Sequence, residues 1–139
     1  MPAIPGTKFS SELQVRPDDI DMNHHVHASK YFDYVLAARY DQMARCYKMS
    51  MEEFAALGLG WFVRTSHIDY KRPLKMGDSF NVTTWIDDLS EDTVRVQFQI
   101  TKKPNNKLSA DGYCLYTLVS LQTARAHKIP PEIAAKYSI

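Results

Sequence analysis

The chain has 139 residues, 45% of them hydrophobic and 24% charged, which suits one ordinary globular domain long enough to bury a core unaided. Its 17 basic residues balance 16 acidic ones to a net charge of +1, so nucleic acid is not an expected partner. No window approaches the ~20 apolar residues of a membrane span, and the opening MPAIPGTKFSS lacks the apolar run of a signal peptide.

Pro2, Pro5 and Gly6 mark a short flexible start, and Ser11 to Arg16 forms a first strand. Pro17 biases Arg16 towards an extended conformation and opens a polar loop, PDDIDMNHH. From Ala28 to Tyr47 runs a long segment free of proline and glycine. Tyr31, Tyr34, Val35 and Ala38 make one helical stripe, and Phe32, Leu36, Tyr40 and Met43 another. Apolar residues on most sides predict a helix largely enclosed by protein. Ser50 followed by Glu53 is a capping-box pattern for a second, short helix ending at Gly58 or Gly60.

After Gly60 the chain reads as strands. Trp61 to Tyr70 is rich in β-branched and aromatic residues, and Pro73, Gly77 and Asp78 make the turn that follows. Phe80, Val82, Thr84 and Ile86 alternate with polar neighbours, and Val94, Val96, Phe98 and Ile100 do so again. The turn Pro104-Asn105-Asn106 leads into Leu108 to Thr123, apolar on both faces around Tyr113 to Leu121 and therefore suited to a central position. Pro130 and Pro131 precede a last short helix, EIAAKY. Strands joined by tight turns are expected to be antiparallel neighbours, and one long helix covers such a sheet best if the sheet curls around it. The prediction is an α+β domain spanning residues 1–139, with about five antiparallel strands wrapped around one long central helix.

Chemistry concentrates in Asp19-Ile20-Asp21-Met22-Asn23-His24-His25-Val26-His27, directly before the long helix. A helix start offers unpaired N–H groups and partial positive charge, which stabilise the oxyanion formed when a carbonyl is attacked. A neighbouring carboxylate supplies a general base or nucleophile. The H-H-x-H spacing of His24, His25 and His27 is no recognised zinc pattern, and Cys46 and Cys114 match none either, so no metal is expected. The cysteines read as reduced packing residues, consistent with a cytoplasmic location.

DIDMNHHVHASKY resembles the D-x-D-x-N-x-H-V-N-N-x-x-Y signature of hotdog-fold acyl-CoA thioesterases, of the 4-hydroxybenzoyl-CoA and bacterial long-chain types. Ile68 to Pro73, followed by Gly77-Asp78, is similar to the same family's I-x-Y-x-R-P…G-D strand and turn. The resemblance implies a hotdog fold and hydrolysis of an acyl-CoA thioester without a cofactor. Asp21 takes the position of the catalytic carboxylate, with Asn23 and His25 orienting substrate and water. His27 and Ala28 start the helix that polarises the thioester carbonyl, Tyr31 and Arg72 complete the substrate contacts, and Arg39 falls at a recurrent packing position. The family also implies a homodimer at least, with homotetramers common, and active sites at the subunit interface.

The sequence departs from the pattern at several positions. His24 stands where many relatives carry Gly, His27 and Ala28 replace the Asn pair, and Leu36 occupies a position often held by an acid. Pro73-Leu74 replaces the Glu-Cys pair of plant carrier-protein enzymes, which points to CoA. Two other readings stay open: a non-catalytic module that holds an acyl thioester, and, further down, a hotdog hydratase or dehydratase.

Overall fold

A computed structural model describes residues 4–139, so Pro2 of the expected flexible start lies outside the described residues. The elements run β1 (Phe9–Gln14), α1 (Tyr31–Arg45), α2 (Met51–Ala56), β2 (Leu59–Tyr70), β3 (Ser79–Leu89), β4 (Thr93–Lys102), β5 (Lys107–Ser120) and α3 (Pro131–Tyr137). All five strands form one antiparallel sheet in the order β1-β3-β4-β5-β2. The central position expected for the strand after Asn106 holds, since β5 lies between β4 and β2.

The adjacency expected of β2 and β3 does not hold. β2 pairs only with β5 and β3 lies on the far side of β4, so the chain from Lys71 to Asp78 crosses the ends of two strands instead of turning back. A short connection favours a hairpin only when nothing rewards the crossing. Here Leu74, fully buried, anchors the strap beneath the start of the helix.

Alternation decides which face of the sheet is buried. Phe80, Val82 and Ile86 on β3, and Val94, Val96, Phe98 and Ile100 on β4, all point into the core. Tyr31, Tyr34, Val35 and Ala38 of α1 meet them, as their helical spacing requires. Gln42, fully buried, fastens the helix to the sheet: its Nε2 donates to Ser11 Oγ at 3.1 Å and to the Val82 carbonyl at 3.3 Å, and its Oε1 accepts from Thr84. The Arg39 guanidinium, 3% exposed, lies between the rings of Tyr47 and Tyr116.

The helix differs from expectation in two ways. Ala28–Lys30 is a 3-10 turn rather than the first turn of α1, because Lys30 N–H donates to the His27 carbonyl at 2.9 Å. Within one chain the enclosure is also one-sided, since Leu36 and Tyr40 each remain 49% exposed. The capping box forms as read: Ser50 Oγ accepts from Glu53 N–H, and the Glu53 carboxylate accepts from Ser50 N–H. Gly58, with φ +74°, ends that helix.

One close approach locks β2 to β5. A Cβ on Gly112 would fall 1.8 Å from the His67 carbonyl oxygen and 2.9 Å from the Phe98 ring. The first obstacle is backbone and cannot swing aside. Gly112→Ala should therefore lower unfolding stability by about 3 kcal/mol or more, the upper part of the overpacking range. Urea denaturation of the variant beside wild type checks it, and an unchanged midpoint would refute the packing described.

Candidate active site

The loop before the helix is closed on itself. Asp21 N–H donates to the His25 carbonyl at 2.8 Å, and His24 N–H donates back to the Asp21 carbonyl at 3.1 Å. His24 takes φ +63°, the left-handed conformation that this tight return demands and that glycine adopts more readily. Asp21 Oδ1 accepts from the N–H of Asn23 at 2.8 Å and of His25 at 3.2 Å. Among the described residues Asp21 Oδ2 has no partner. The Asn23 N–H bond foremost, helped by His25, outweighs partial burial and holds the Asp21 carboxyl below the ordinary 3.8.

Asp19 anchors the loop from inside. It is 6% exposed, its Oδ2 accepts from the Tyr34 hydroxyl at 2.7 Å, and its carbonyl accepts from His27 N–H at 2.8 Å. Burial, then the bond to Asp19, pushes the Tyr34 phenol far above its usual range, so it remains a donor at any working pH. Asp19 is thus bound into the fold and does not line the cavity beside Asp21.

The β2–β3 strap closes the site from the other side. Val26 N–H donates to the Leu74 carbonyl at 2.8 Å, and Leu74 N–H donates to the Tyr31 hydroxyl at 3.2 Å. Lys71 and Arg72 N–H both reach the Ser109 carbonyl, at 2.8 and 3.1 Å, which ties the strap to β5. The Tyr70 hydroxyl donates to the Ala28 carbonyl at 3.2 Å, and the Tyr70 and Tyr31 rings meet edge to face at 5.1 Å.

Between loop and strap lies an open cavity of about 360 Å3, lined by Asp21, His25, Val26, Ala28, Tyr31 and the run from Tyr70 to Pro73. Five residues singled out from the sequence, Asp21, His25, Ala28, Tyr31 and Arg72, thus line one cavity. Asn23 and His27 do not line it. Asn23 is exposed and contributes its backbone N–H to Asp21. The His27 ring turns to the helix start, where Nδ1 accepts from Ser29 N–H at 3.2 Å, and its own N–H is taken by Asp19. Ala28 does line the cavity, and its N–H has no acceptor among the described residues. Tyr70 was given no role in the sequence reading, though it lies within the I-x-Y-x-R-P match that marked this strap. Among the described residues, no three His, Cys, Asp or Glu side chains gather to hold a metal ion.

A family model described as the thioesterase-like superfamily matches residues 15–137. The chain belongs to that family. It is 23% identical over 128 residues to the long-chain acyl-CoA thioesterase FadM of Escherichia coli (strain K12), covering 92% of this chain and 96% of that one. A DHNA-CoA thioesterase from Staphylococcus aureus superposes with a TM-score of 0.88 at 17% identity, covering 94% of this chain and 89% of that one. A hypothetical Staphylococcus aureus protein solved in complex with CoA gives 0.84 at 21% identity, with 98% and 85% covered. These likenesses bear out the hotdog fold that the motifs implied: the antiparallel sheet and its long helix are the common frame.

Tyr31 supplies both a cavity wall and the acceptor for a buried N–H. Tyr31→Phe should cost about 1–3 kcal/mol, since it leaves Leu74 N–H without a partner. Tyr70→Phe, at a half-exposed ring, should cost less. Paired thermal melts measure the difference, and equal losses would refute the bond to Leu74.

Proposed function

We propose that this thioesterase-like protein hydrolyses an acyl-CoA thioester to the free acid and CoA, with Asp21 as the catalytic carboxylate. One observation carries the assignment: a carboxylate with one oxygen bound into its loop and the other free shares a cavity with Ala28, whose N–H has no acceptor among the described residues. The free oxygen, Oδ2, either takes the proton of an attacking water or attacks the carbonyl to give a mixed anhydride that water resolves. In both routes the carbonyl oxygen gains negative charge and the Ala28 N–H at the head of the helix stabilises it. The C–S bond then breaks and CoA leaves as a thiolate, which needs no further activation. His25 and Asn23 keep the loop in the geometry that aims Oδ2, while Tyr31 and Arg72 bound the substrate. The named relatives, among them a long-chain acyl-CoA thioesterase and a protein holding CoA, support this substrate class.

The reading takes residues 1–139 as one hotdog domain that works as a homodimer at least. β2 supports this, for it is a 12-residue edge strand paired on one side only, with Phe62 61% and Val63 46% exposed. The exposed Leu36 and Tyr40 of α1 offer a second apolar surface to a partner copy. Cys46 and Cys114 are free thiols, as a cytoplasmic enzyme requires, and no helix among the described residues is long and apolar enough to cross a membrane. A non-catalytic acyl-thioester-binding module is the second reading, favoured by Leu36, which stands at a helix position often held by an acid.

Thiol release from a panel of acyl-CoAs tests the proposal. Wild type should release thiol, and Asp21→Asn and Asp21→Ala should lose at least about a hundredfold in kcat/KM. No release by a folded, CoA-binding protein would favour the binding module. The pH profile gives a second check. A group with a depressed folded pKa is ionised above it, so activity dependent on Asp21 should hold as pH falls and fail only below 3.8. An acid limb centred between about pH 6 and 7 would assign the base to a histidine instead.

A further inference from the structure

Beside the Asp21 cavity lies a second one, of about 400 Å3, which the β2–β3 strap and the β4–β5 turn enclose. Five cations line it, Arg72, Lys75, Lys102, Lys103 and Lys107, against one carboxylate, Asp78. The whole chain carries a net charge of only +1, so this concentration does not follow from composition. Three of the five have partners: Lys102 lies 3.3 Å from Asp78, Lys103 pairs with Glu12, and Arg72 Nη1 donates to the Leu108 carbonyl at 3.1 Å. Among the described residues Lys75 and Lys107 have no ionic partner. Like charges set around one concavity repel each other unless an anion enters it. Arg72 and Pro73 line both cavities, so the basin opens directly beside the carboxylate.

We infer that this basin receives the 3′-phosphate and diphosphate of coenzyme A, making Lys75 and Lys107 the residues that select a CoA thioester over an acyl group on a carrier protein. The inference rests on the acyl-thioester reading above. Its chemistry is specific. A phosphate monoester brings about −2 charge near neutrality, and lysine ammonium groups meet it as point charges. A carrier protein's phosphopantetheine has a single phosphodiester and neither of the other groups. No aromatic side chain lines the basin, and Asn105 is its one neutral amide. Recognition therefore reads phosphate charge and leaves the adenine ring unstacked.

The test compares three thioesters of one acyl group, on CoA, on 3′-dephospho-CoA and on pantetheine, together with equilibrium binding of free CoA and free dephospho-CoA. Wild type should favour CoA over dephospho-CoA about tenfold in KM and in binding, and the preference should shrink as salt rises. Lys75→Ala combined with Lys107→Ala should abolish that preference and leave hydrolysis of the pantetheine thioester unchanged. Lys107→Glu should weaken CoA binding further still. Equal use of all three thioesters by wild type, or a preference that survives the double variant, would overturn the inference while the hydrolase reading stands. If no thioester is cleaved but CoA binds with dependence on its 3′-phosphate and on both lysines, the basin is upheld and hydrolysis falls. Absence of both turnover and CoA binding would overturn both.

Discussion

The strap from Lys71 to Asp78 is the constraint on which the rest of the site depends. Because β2 and β3 are not neighbours, this segment has to travel past the ends of β4 and β5, and it passes beneath the head of the helix. Leu74 holds it there by burial, with one hydrogen bond to the Asp21 loop through Val26 and one to α1 through Tyr31. Two stretches some fifty residues apart in the chain thereby become opposite walls of one cavity. Without the crossing, Asp21 would sit on an exposed loop with nothing across from it.

Asp21 itself is divided between two tasks. Oδ1 completes the loop that Oδ2 depends on for its aim, so the carboxylate is part of its own support. The same two N–H groups that fix its position also favour its ionised form. Positioning and ionisation therefore come from one interaction, and neither needs a further charged partner. Asp19 carries the remaining structural load from the buried side, where Tyr34 and the His27 N–H satisfy it.

Much of this was legible in the sequence, for identifiable reasons. Strict alternation in β3 and β4 has one physical meaning, and the Ser50–Glu53 pair forms the cap its spacing describes. The two motifs located both walls of the cavity. Strand order was not legible, because the length of the Tyr70–Ser79 connection does not reveal that Leu74 gains more by burial than a hairpin would. Nor was the division between His27 and Ala28: the donor left free is decided by the Asp19 carbonyl eight residues upstream, a backbone pairing that no side chain encodes. Apolar positions on the far side of α1 predicted enclosure, yet within one chain Leu36 and Tyr40 stay half exposed. Periodicity reports that a face is apolar and is silent about which molecule covers it.

The open edge of β2 ties folding to mass action. At about 3.4 Å per residue its twelve residues present roughly 40 Å of unpaired backbone beside exposed Phe62 and Val63. If a second copy closes that edge, much of the strand's hydrogen bonding and apolar burial is gained only on encounter. The folded state is then favoured by protein concentration, and dilution weakens it without any change in sequence or solvent.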